Sequence, residues 1–324
     1  MRFLIAGYGS VGRRHLRNLL ALGEHDIVLY RTRKSTLPED DLLGFKVETD
    51  LSAALEHKPN AVIVANPTAL HLDVAIPAAR AGCHLFLEKP VSHSLERLEE
   101  LRESLKFGGG KAFVGFQFRF HPGLQQVKNL LQQGVIGRPL SLRCEWGEYL
   151  PGWHPWEDYR KSYSARGDLG GGVVLTLCHP LDYLRWFFGE GSLLQAFVSK
   201  ISDLEIEVED VAEVLLQFSD HLLASVHLDY YRRPAVHRLE ITGSEGLLAW
   251  DNADGAVRLY RADMNAPEVF LPPQGFERNT MFLDEMRHFL NVASGREEPI
   301  CTLEDGIRAL ELALQILGRL PACS

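Results

Sequence analysis

The feature that most constrains the fold of this 324-residue chain is a short apolar run near its N-terminus that leads into a glycine motif and then a helical pattern. Residues 3–6 read as a buried strand, and Gly-x-Gly-x-x-Gly follows directly. In dinucleotide-binding folds the first glycine permits a tight turn, the second lets the backbone approach a pyrophosphate, and the third lets the helix pack on the sheet. The helix N-terminus then offers unpaired N–H groups to phosphate. The sequence therefore predicts a dinucleotide site, and an ordinary glycine turn is the alternative. The residues predicted to bind the cofactor here are Gly7, Gly9, Ser10, Val11 and Gly12.

The end of the second predicted strand, about twenty residues past the glycines, decides which nicotinamide cofactor such a site prefers. An NAD site usually places Asp or Glu there to accept from the ribose 2′-OH, whereas an NADP site supplies cations for the 2′-phosphate. After the strand at residues 26–31 this chain has a basic run and no acid until Glu39. The pattern favours NADP(H) over NAD(H), with a solvated basic loop as the alternative. The residues predicted to bind the 2′-phosphate are Arg31, Thr32 and Arg33.

The first 120 residues alternate predicted strands and helices, which is typical of a doubly wound parallel sheet with ligands at the carboxyl ends of its strands. Lys89 follows one such strand and is held by Pro90, so its ammonium is placed to donate to a substrate hydroxyl and favour the alkoxide. A surface lysine paired with Glu88 is the alternative. The residues predicted to line the cofactor at these strand ends are Asn66, Pro67, Thr68, His71, Glu88 and Lys89.

From residue 121 onward, strand-like segments follow one another with few helices between them, which indicates an antiparallel sheet. We therefore predict an α/β chain of two domains: a Rossmann-type domain at 1–120 and an α+β domain with a mostly antiparallel open sheet at 121–324. Two amphipathic helices within 279–320 are predicted to pack across the domains. The second is capped by Thr302, with Asp305 three residues later.

An aromatic segment at residues 146–166 follows the first of these later strands. It holds three tryptophans, three tyrosines and two arginines without a clear period. Aromatic faces suit the C–H surfaces of sugars, and arginine forms bidentate pairs with carboxylates or phosphates. A packing loop or a dimer contact is the alternative, since aromatic residues are also enriched at interfaces. The segment is predicted to contact substrate through Trp153, Tyr159, Arg160, Tyr163 and Arg166.

A predicted helix that begins near Gly171 carries a second set of polar residues. Thr176, His179 and Asp182 are three residues apart and are predicted to share one face of this helix, with a kink at Pro180. A histidine can act as general base for a hydroxyl near neutral pH, which makes His179 a candidate catalytic and substrate-binding residue. A structural histidine is the alternative.

The overall composition limits the class of protein. With 34 Lys and Arg against 43 Asp and Glu and no long basic run, a nucleic-acid surface is disfavoured. No apolar run approaches the roughly 18 residues of a membrane span, and the N-terminus does not read as a signal peptide. The five cysteines are scattered without a Cys-x-x-Cys pair, so we predict a cytoplasmic protein and no metal site.

Taken in order, these motifs resemble the Gfo/Idh/MocA family of nicotinamide-dependent sugar and cyclitol oxidoreductases. The resemblance covers nearly the whole chain. It rests on the opening glycine motif, Asn66-Pro67-Thr68-x-x-His71, Glu88-Lys89-Pro90, Arg119-Phe120-His121-Pro122, Gly170-Gly171-Gly172 followed by His179 and Asp182, and Thr302-Leu303-Glu304-Asp305-Gly306.

The resemblance implies hydride transfer between the cofactor and a secondary alcohol or ketone of a sugar-like substrate, with charged or nucleotide-activated amino sugars as a lead. It implies that Lys89 belongs to the catalytic group, and it implies a homodimer or homotetramer paired through the open sheet. We also assign Arg119 to the substrate site. Three residues before His179 the family usually has an Asp, whereas this chain has Thr176. We include Thr176 among the catalytic positions, and Tyr163 is the candidate to compensate for the missing carboxylate.

Two other functions remain open on the sequence alone. One is redox-neutral chemistry with bound NAD(H), such as glycoside cleavage or epimer exchange through a transient ketone. The other is a catalytically silent NAD(P)-binding sensor, which the Thr176 substitution keeps in consideration.

Overall fold

A six-stranded parallel sheet organises the N-terminal part of the computed structural model, which describes residues 1–32 and 44–321 of the chain. Its spatial order is β3-β2-β1-β4-β5-β6, so the strand order reverses between β1 and β4. The predicted Rossmann-type fold is therefore confirmed. The strands are β1 (Phe3–Ala6), β2 (Ile27–Tyr30), β3 (Lys46–Glu48), β4 (Ala61–Val64), β5 (His84–Glu88) and β6 (Ala112–Gly115); the helices are α1 (Ser10–Ala21), α2 (Leu51–Glu56), α3 (His71–Arg80) and α4 (Leu98–Gly108).

The second sheet has eight strands and is antiparallel except for one pair, β7 with β10, which confirms the mostly antiparallel prediction. The two central strands of the first sheet, β1 and β4, are buried throughout, whereas the second sheet has alternating burial because one face packs on helices. The strands are β7 (Pro139–Tyr149), β8 (Ser192–Ser199), β9 (Val211–Gln217), β10 (Leu223–Asp229), β11 (Tyr231–Gly243), β12 (Gly246–Asp251), β13 (Val257–Arg261) and β14 (Glu268–Phe270).

The remaining helices connect the two sheets. They are α5 (Pro122–Gln132), α6 (Val173–Thr176), α7 (His179–Phe188), α8 (Arg278–Ala293) and α9 (Leu303–Ile316). Helix α8 returns to the first domain, where the Asn279 side chain donates to Asn18 of α1 at 3.0 Å. Helix α9 is capped by Thr302, whose hydroxyl accepts from the Asp305 backbone N–H at 3.1 Å, as the capping pattern predicts.

The structure corrects the predicted helix from Gly171. That segment forms two helices, because α6 ends at Thr176 and α7 starts at His179, so Thr176 does not share a helical face with His179. Pro180 lies in the first turn of α7, where its missing N–H has no intrahelical partner to lose, and it makes no kink.

Two three-residue strands were not predicted from the sequence. Both β3 and β14 lie at sheet edges and are largely exposed or half-buried, so neither carries an apolar run that would mark it.

Candidate functional site

The glycine motif forms a tight cradle at the end of β1. Gly7 has φ +96°, and a Cβ there would lie 2.5 Å from the Asn66 backbone nitrogen, so only glycine fits. A Cβ on Gly12 would lie 2.1 Å from the Gly7 carbonyl oxygen. Gly9 faces open space, and it precedes α1 without a side-chain cap. The first backbone N–H groups of α1 therefore point out of the cradle toward a space that a pyrophosphate can occupy.

The turn after β4 adds polar groups beside this cradle. The Asn66 amide donates to the Leu70 carbonyl at 2.8 Å, and His71 Nε2 pairs with the Asn66 carbonyl at 2.9 Å. Asn66 Oδ1 and His71 Nδ1 are buried and have no hydrogen-bond partner in the described residues. Burial lowers the pKa of His71, so the ring is neutral near pH 7. Orphaned polar atoms beside a glycine cradle fit a bound nicotinamide dinucleotide.

The predicted 2′-phosphate residues divide between described and undescribed positions. Arg31 is only 6% exposed, and its guanidinium carbon lies 6.0 Å from the centre of the Tyr8 ring. Thr32 is exposed, and Arg33 lies outside the described residues. Arg13, which the sequence analysis did not select, lies 4.9 Å from the same Tyr8 ring. Two arginines, Arg13 of α1 and Arg31 after β2, thus lie near the ring of Tyr8.

Lys89 extends from the end of β5 toward the second domain. Its ammonium donates to the Thr176 backbone carbonyl at 2.6 Å. Burial acts to lower the pKa of Lys89. The nearby Tyr163, Cys178 and Glu88 together raise it by more than burial lowers it, so the pKa of Lys89 lies above the ordinary lysine value. Lys89 is therefore a charged group held between the two domains.

Glu88 does not pair with the Lys89 ammonium, as the surface-lysine interpretation requires, but with a histidine of α1. Its carboxylate pairs with His15 Nε2 of α1 at 2.6 Å. Burial acts to raise the pKa of Glu88, but the hydrogen bond and charge of His15 keep it below the ordinary value. The pair ties the end of β5 to the helix that carries the glycine cradle and orients the adjacent Lys89.

His179 lies in an aromatic enclosure at the start of α7. The ring is 1% exposed, with the Phe118 ring at 4.9 Å and the Phe116 and Trp146 rings each at 5.5 Å. Its Nδ1 has no hydrogen-bond partner in the described chain. Burial, and then the charge of Lys89, lower the pKa of His179 well below 6.5. The imidazole is therefore neutral and able to accept a proton.

Thr176 contributes its backbone to this site. Its carbonyl holds Lys89, and the buried hydroxyl has no hydrogen-bond partner among the residues described. Burial of Lys89 acts to lower the pKa of Lys89, and Tyr163, which is half-buried, is close enough to raise that pKa. The structure thus brings Lys89, Thr176, His179 and Tyr163 together across the two domains.

Arg119, which the sequence analysis assigned to the substrate site, lies in a buried ion pair. It is 2% exposed and donates to both carboxylate oxygens of Asp182, at 2.9 and 2.6 Å, and to the Ile300 carbonyl at 2.5 Å. Burial acts to lower the pKa of Arg119, but Asp182 raises it above the ordinary value, so the guanidinium is charged. Because these donors are used within the protein, we propose a structural role for Arg119.

We expect Arg119→Met to lower the free energy of unfolding by about 3 kcal/mol, because it leaves the Asp182 carboxylate buried without its partner. Urea denaturation followed by tryptophan fluorescence measures this change. The control is Arg261→Met, which removes an exposed ion pair with Asp263 and is expected to cost less than about 1 kcal/mol. Equal losses in the two variants would contradict the structural role of Arg119.

The predicted substrate segment forms three short 3-10 turns above the site, at 150–152, 159–161 and 163–165. Its two arginines are paired with neighbouring carboxylates: Arg160 with Asp158 and Glu205, and Arg166 with Asp168. The Tyr159 hydroxyl accepts from the Glu205 backbone N–H at 3.1 Å. The Trp153 indole N–H is buried with no partner in the described part of the chain. Of this set, Trp153 and Tyr163 keep polar groups available to a ligand.

The aromatic support behind His179 was not predicted. The His237 ring stacks on Trp146 with centroids 4.3 Å apart and planes 1° apart, and its Nε2 lies 3.2 Å from the Tyr183 hydroxyl. These residues lie on β7, α7 and β11, so no local pattern in the sequence could have identified them.

Residues 1–32 and 44–321 contain no group of three or more histidine, cysteine or acidic side chains placed to hold a metal ion. None of their helices is long and apolar enough to cross a membrane.

Two family models together match most of the chain. Residues 1–116 match the model described as "Oxidoreductase family, NAD-binding Rossmann fold", and residues 124–249 match "GFO/IDH/MocA C-terminal domain". The two matches follow each other as the two sheets do.

Individual relatives and solved structures agree with these matches. Myo-inositol 2-dehydrogenase of Thermotoga maritima is 29% identical over 96% of this chain and 94% of its own length. 2,7-Anhydro-N-acetylneuraminate hydratase of Mediterraneibacter gnavus is 29% identical over 65% of this chain and 57% of its own length. The structure of levoglucosan dehydrogenase in complex with NADH has a TM-score of 0.86 over 98% of this chain and 96% of that chain, at 20% identity, which shows a shared fold.

Proposed function

Because this chain belongs to the Gfo/Idh/MocA family of nicotinamide-dependent oxidoreductases, we propose that it transfers a hydride between the cofactor and a secondary alcohol or ketone of a sugar-like substrate. The observation that carries the proposal is the meeting of a charged lysine and a neutral histidine, Lys89 and His179, beside the glycine cradle. A dehydrogenase of CH–OH groups needs such a donor and such a base at one carbon. The relative most fully aligned above, an inositol dehydrogenase, supports a polyol or sugar-like substrate.

In the proposed mechanism the cofactor supplies a nicotinamide ring that accepts or returns the hydride. The glycine cradle and the N-terminus of α1 would hold its pyrophosphate, and Asn66 and His71 offer orphaned atoms beside it. His179 accepts the hydroxyl proton at its unpartnered Nδ1, since burial lowers its pKa and so leaves the ring unprotonated at neutral pH. The Lys89 ammonium stabilises the developing alkoxide. Tyr163, which acts on Lys89 electrostatically, is proposed to take the place of the carboxylate that Thr176 lacks.

We further propose that the cofactor is NADP(H), because Arg31 lies at the end of β2 and Arg13 lies against the same Tyr8 ring. Arg31→Ala is expected to weaken NADPH binding about tenfold or more, since a charge-assisted hydrogen bond to phosphate contributes about 1.5–3 kcal/mol. The measurement is a fluorescence titration of purified protein with NADPH and NADH in parallel. NADH affinity serves as the internal control and is expected to change less than threefold. Tighter NADH binding by the unmodified protein would overturn the NADP(H) proposal.

The turnover screen that follows uses the tighter cofactor and a panel of polyols, sugars and acidic sugars. Turnover of at least one secondary alcohol supports the dehydrogenase proposal. Tight cofactor binding without any turnover would favour the catalytically silent sensor.

Redox-neutral chemistry at the same residues is a second candidate. It is favoured by the relative named a hydratase, although this chain spans only 57% of that protein. The two candidates differ in the fate of the cofactor. A protein purified with cofactor that survives gel filtration, and that converts substrate without net change in absorbance at 340 nm, would favour the redox-neutral function.

We propose a homodimer or homotetramer formed through the exposed face of the eight-stranded sheet. Exposed apolar side chains, including Phe197, Leu215 and Leu223, support this surface as an interface. Light scattering of the purified protein measures its mass directly.

A further inference from the structure

The His179 ring lacks the hydrogen bond that usually orients a catalytic histidine. In most such sites one ring nitrogen of the base is bound to a carboxylate or a backbone carbonyl, which fixes both the tautomer and the direction of the ring. Here Nδ1 of His179 is buried and has no hydrogen-bond partner in residues 1–32 and 44–321. The orientation of this imidazole therefore depends on the rings that pack against it.

Two of those rings also pack against a second buried histidine, His237 of β11. The Trp146 ring lies 5.5 Å from His179, with the planes 33° apart, and it stacks on His237 with centroids 4.3 Å and planes 1° apart. The Phe118 ring meets both histidines edge-on, at 4.9 Å from His179 and 4.8 Å from His237. A displacement of His237 would therefore reach His179 through two shared neighbours, because close-packed side chains transmit small shifts.

The helix that carries His179 also holds His237 in place. Tyr183 lies four residues after His179 on α7, so the two side chains share one face of that helix. The fully buried Tyr183 hydroxyl lies 3.2 Å from His237 Nε2 and 2.8 Å from Cys144 Sγ. A closed set of contacts thus runs from His179 through Trp146 and His237 to Tyr183 and back along α7.

This aromatic support, formed by Trp146, His237 and Tyr183, carries no charge at neutral pH. Burial, and then the charge of His121, lower the pKa of His237 well below 6.5. Burial raises the pKa of Tyr183 well above 10. Both groups are therefore neutral, and the hydrogen bond between them fixes a ring position without placing a cation or an anion beside the base.

We propose that His237 and Tyr183 are positioning residues for the base, which hold the His179 ring through Trp146 in the orientation that accepts the substrate proton. This inference rests on the proposed function, because His179 is the base of that site. A misdirected base slows proton transfer but leaves the substrate bound, so the expected effect lies in kcat and not in KM.

The kinetic test replaces His237 with one side chain that removes the stacked ring and one that keeps it. His237→Leu is expected to lower kcat about tenfold with KM changed by less than about twofold, since even small misplacements of a reacting group are costly in rate. His237→Phe retains a ring that stacks on Trp146 and is expected to restore kcat to within about threefold of the unmodified protein. A kcat of His237→Leu within about twofold of the unmodified protein would overturn the proposal.

The matched control is His288→Phe. His288 is another buried histidine, with the Phe113 ring at 5.6 Å and the Phe120 ring at 5.7 Å, and it lies outside the aromatic support. Thermal unfolding is expected to show a loss of stability in this variant, whereas kcat is expected to stay within about twofold of the unmodified protein. A loss of kcat equal to that of His237→Leu would mean that any disturbed buried histidine slows the enzyme, and would overturn the positioning role.

A double variant shows whether His237 acts through His179. In the His179→Asn background, His237→Leu is expected to have no further effect on the residual kcat, because residues that act as a unit are not additive. A further tenfold loss in that background would overturn the proposal, since His237 would then act by another route.

A last measurement does not depend on turnover. In protein labelled with ¹³C at histidine Cε1, the His179 signal is identified by its absence from His179→Asn. Tyr183→Phe, which removes only a hydroxyl, and His237→Leu are each expected to shift the His179 signal by more than its line width, whereas His288→Phe leaves it in place. An unshifted His179 signal in both variants would overturn the proposal. A shifted signal together with a failed turnover screen would count against the proposed reaction and in favour of the aromatic support.

Discussion

Lys89→Ala is expected to lower kcat/KM by about 10³-fold with little change in cofactor affinity. The ammonium is charged at neutral pH and is held by the Thr176 carbonyl at 2.6 Å, so it is preorganised before substrate arrives. Removing one preorganised donor from a developing oxyanion typically costs 10²–10³-fold in rate, and loss of proton-transfer assistance adds to this. Steady-state kinetics on the substrate found by the turnover screen measure the effect.

The control for this variant is Lys111→Ala, which removes a lysine paired with Glu298 outside the site. It is expected to leave kcat/KM within twofold. NADPH titration and thermal unfolding of Lys89→Ala check that the cradle and the fold persist. A loss smaller than tenfold in Lys89→Ala would show that another group carries the oxyanion.

His179→Asn is expected to lower kcat by 10²- to 10⁴-fold, the usual contribution of a general base. Asparagine cannot accept the proton, although it keeps a planar polar side chain beside Phe118 and Trp146. The Michaelis constant is expected to change much less than kcat, because the lost interaction develops in the transition state. A rate within a few-fold of the unmodified protein would remove His179 from the mechanism.

The pH dependence tests the same assignment with a defined sign. A general base works only when it is unprotonated, and burial lowers the pKa of His179 well below 6.5. The kcat/KM of the unmodified protein should therefore stay level as pH falls through 6.5 and decline only in more acidic solution. A decline centred near 6.5 would indicate a solvated histidine and contradict the buried base.

Much of the N-terminal domain could be predicted because its signals are local. The glycine turn, the buried strands and the polar residues at the strand ends each depend on neighbours a few positions away. The cap of α9 at Thr302 is local in the same way. Such patterns report the backbone conformation directly, since a tight turn or an orphaned N–H selects particular residue types.

The partners of charged side chains could not be predicted in this way. Arg119 read as a substrate ligand, but it meets Asp182 63 positions later in a buried ion pair. Pro180 read as a kink, but the chain had already ended one helix at Thr176 and begun another at His179. In each case the outcome depends on packing between elements that are distant in sequence.

The sequence by itself determined the two sheets and the dinucleotide cradle, because short-range geometry and apolar periodicity select them. Lys89 and His179 stood as candidates beside structural alternatives, and it was the resemblance of the ordered motifs to a family that favoured a catalytic role. Only the tertiary structure decided which distant carboxylates pair with the cations. Arg119 lies against Asp182 and Arg160 against Glu205, partners that are far away in the sequence. The physical reason is that electrostatic interactions act through space over several ångströms, and the groups that share that space are set by the fold.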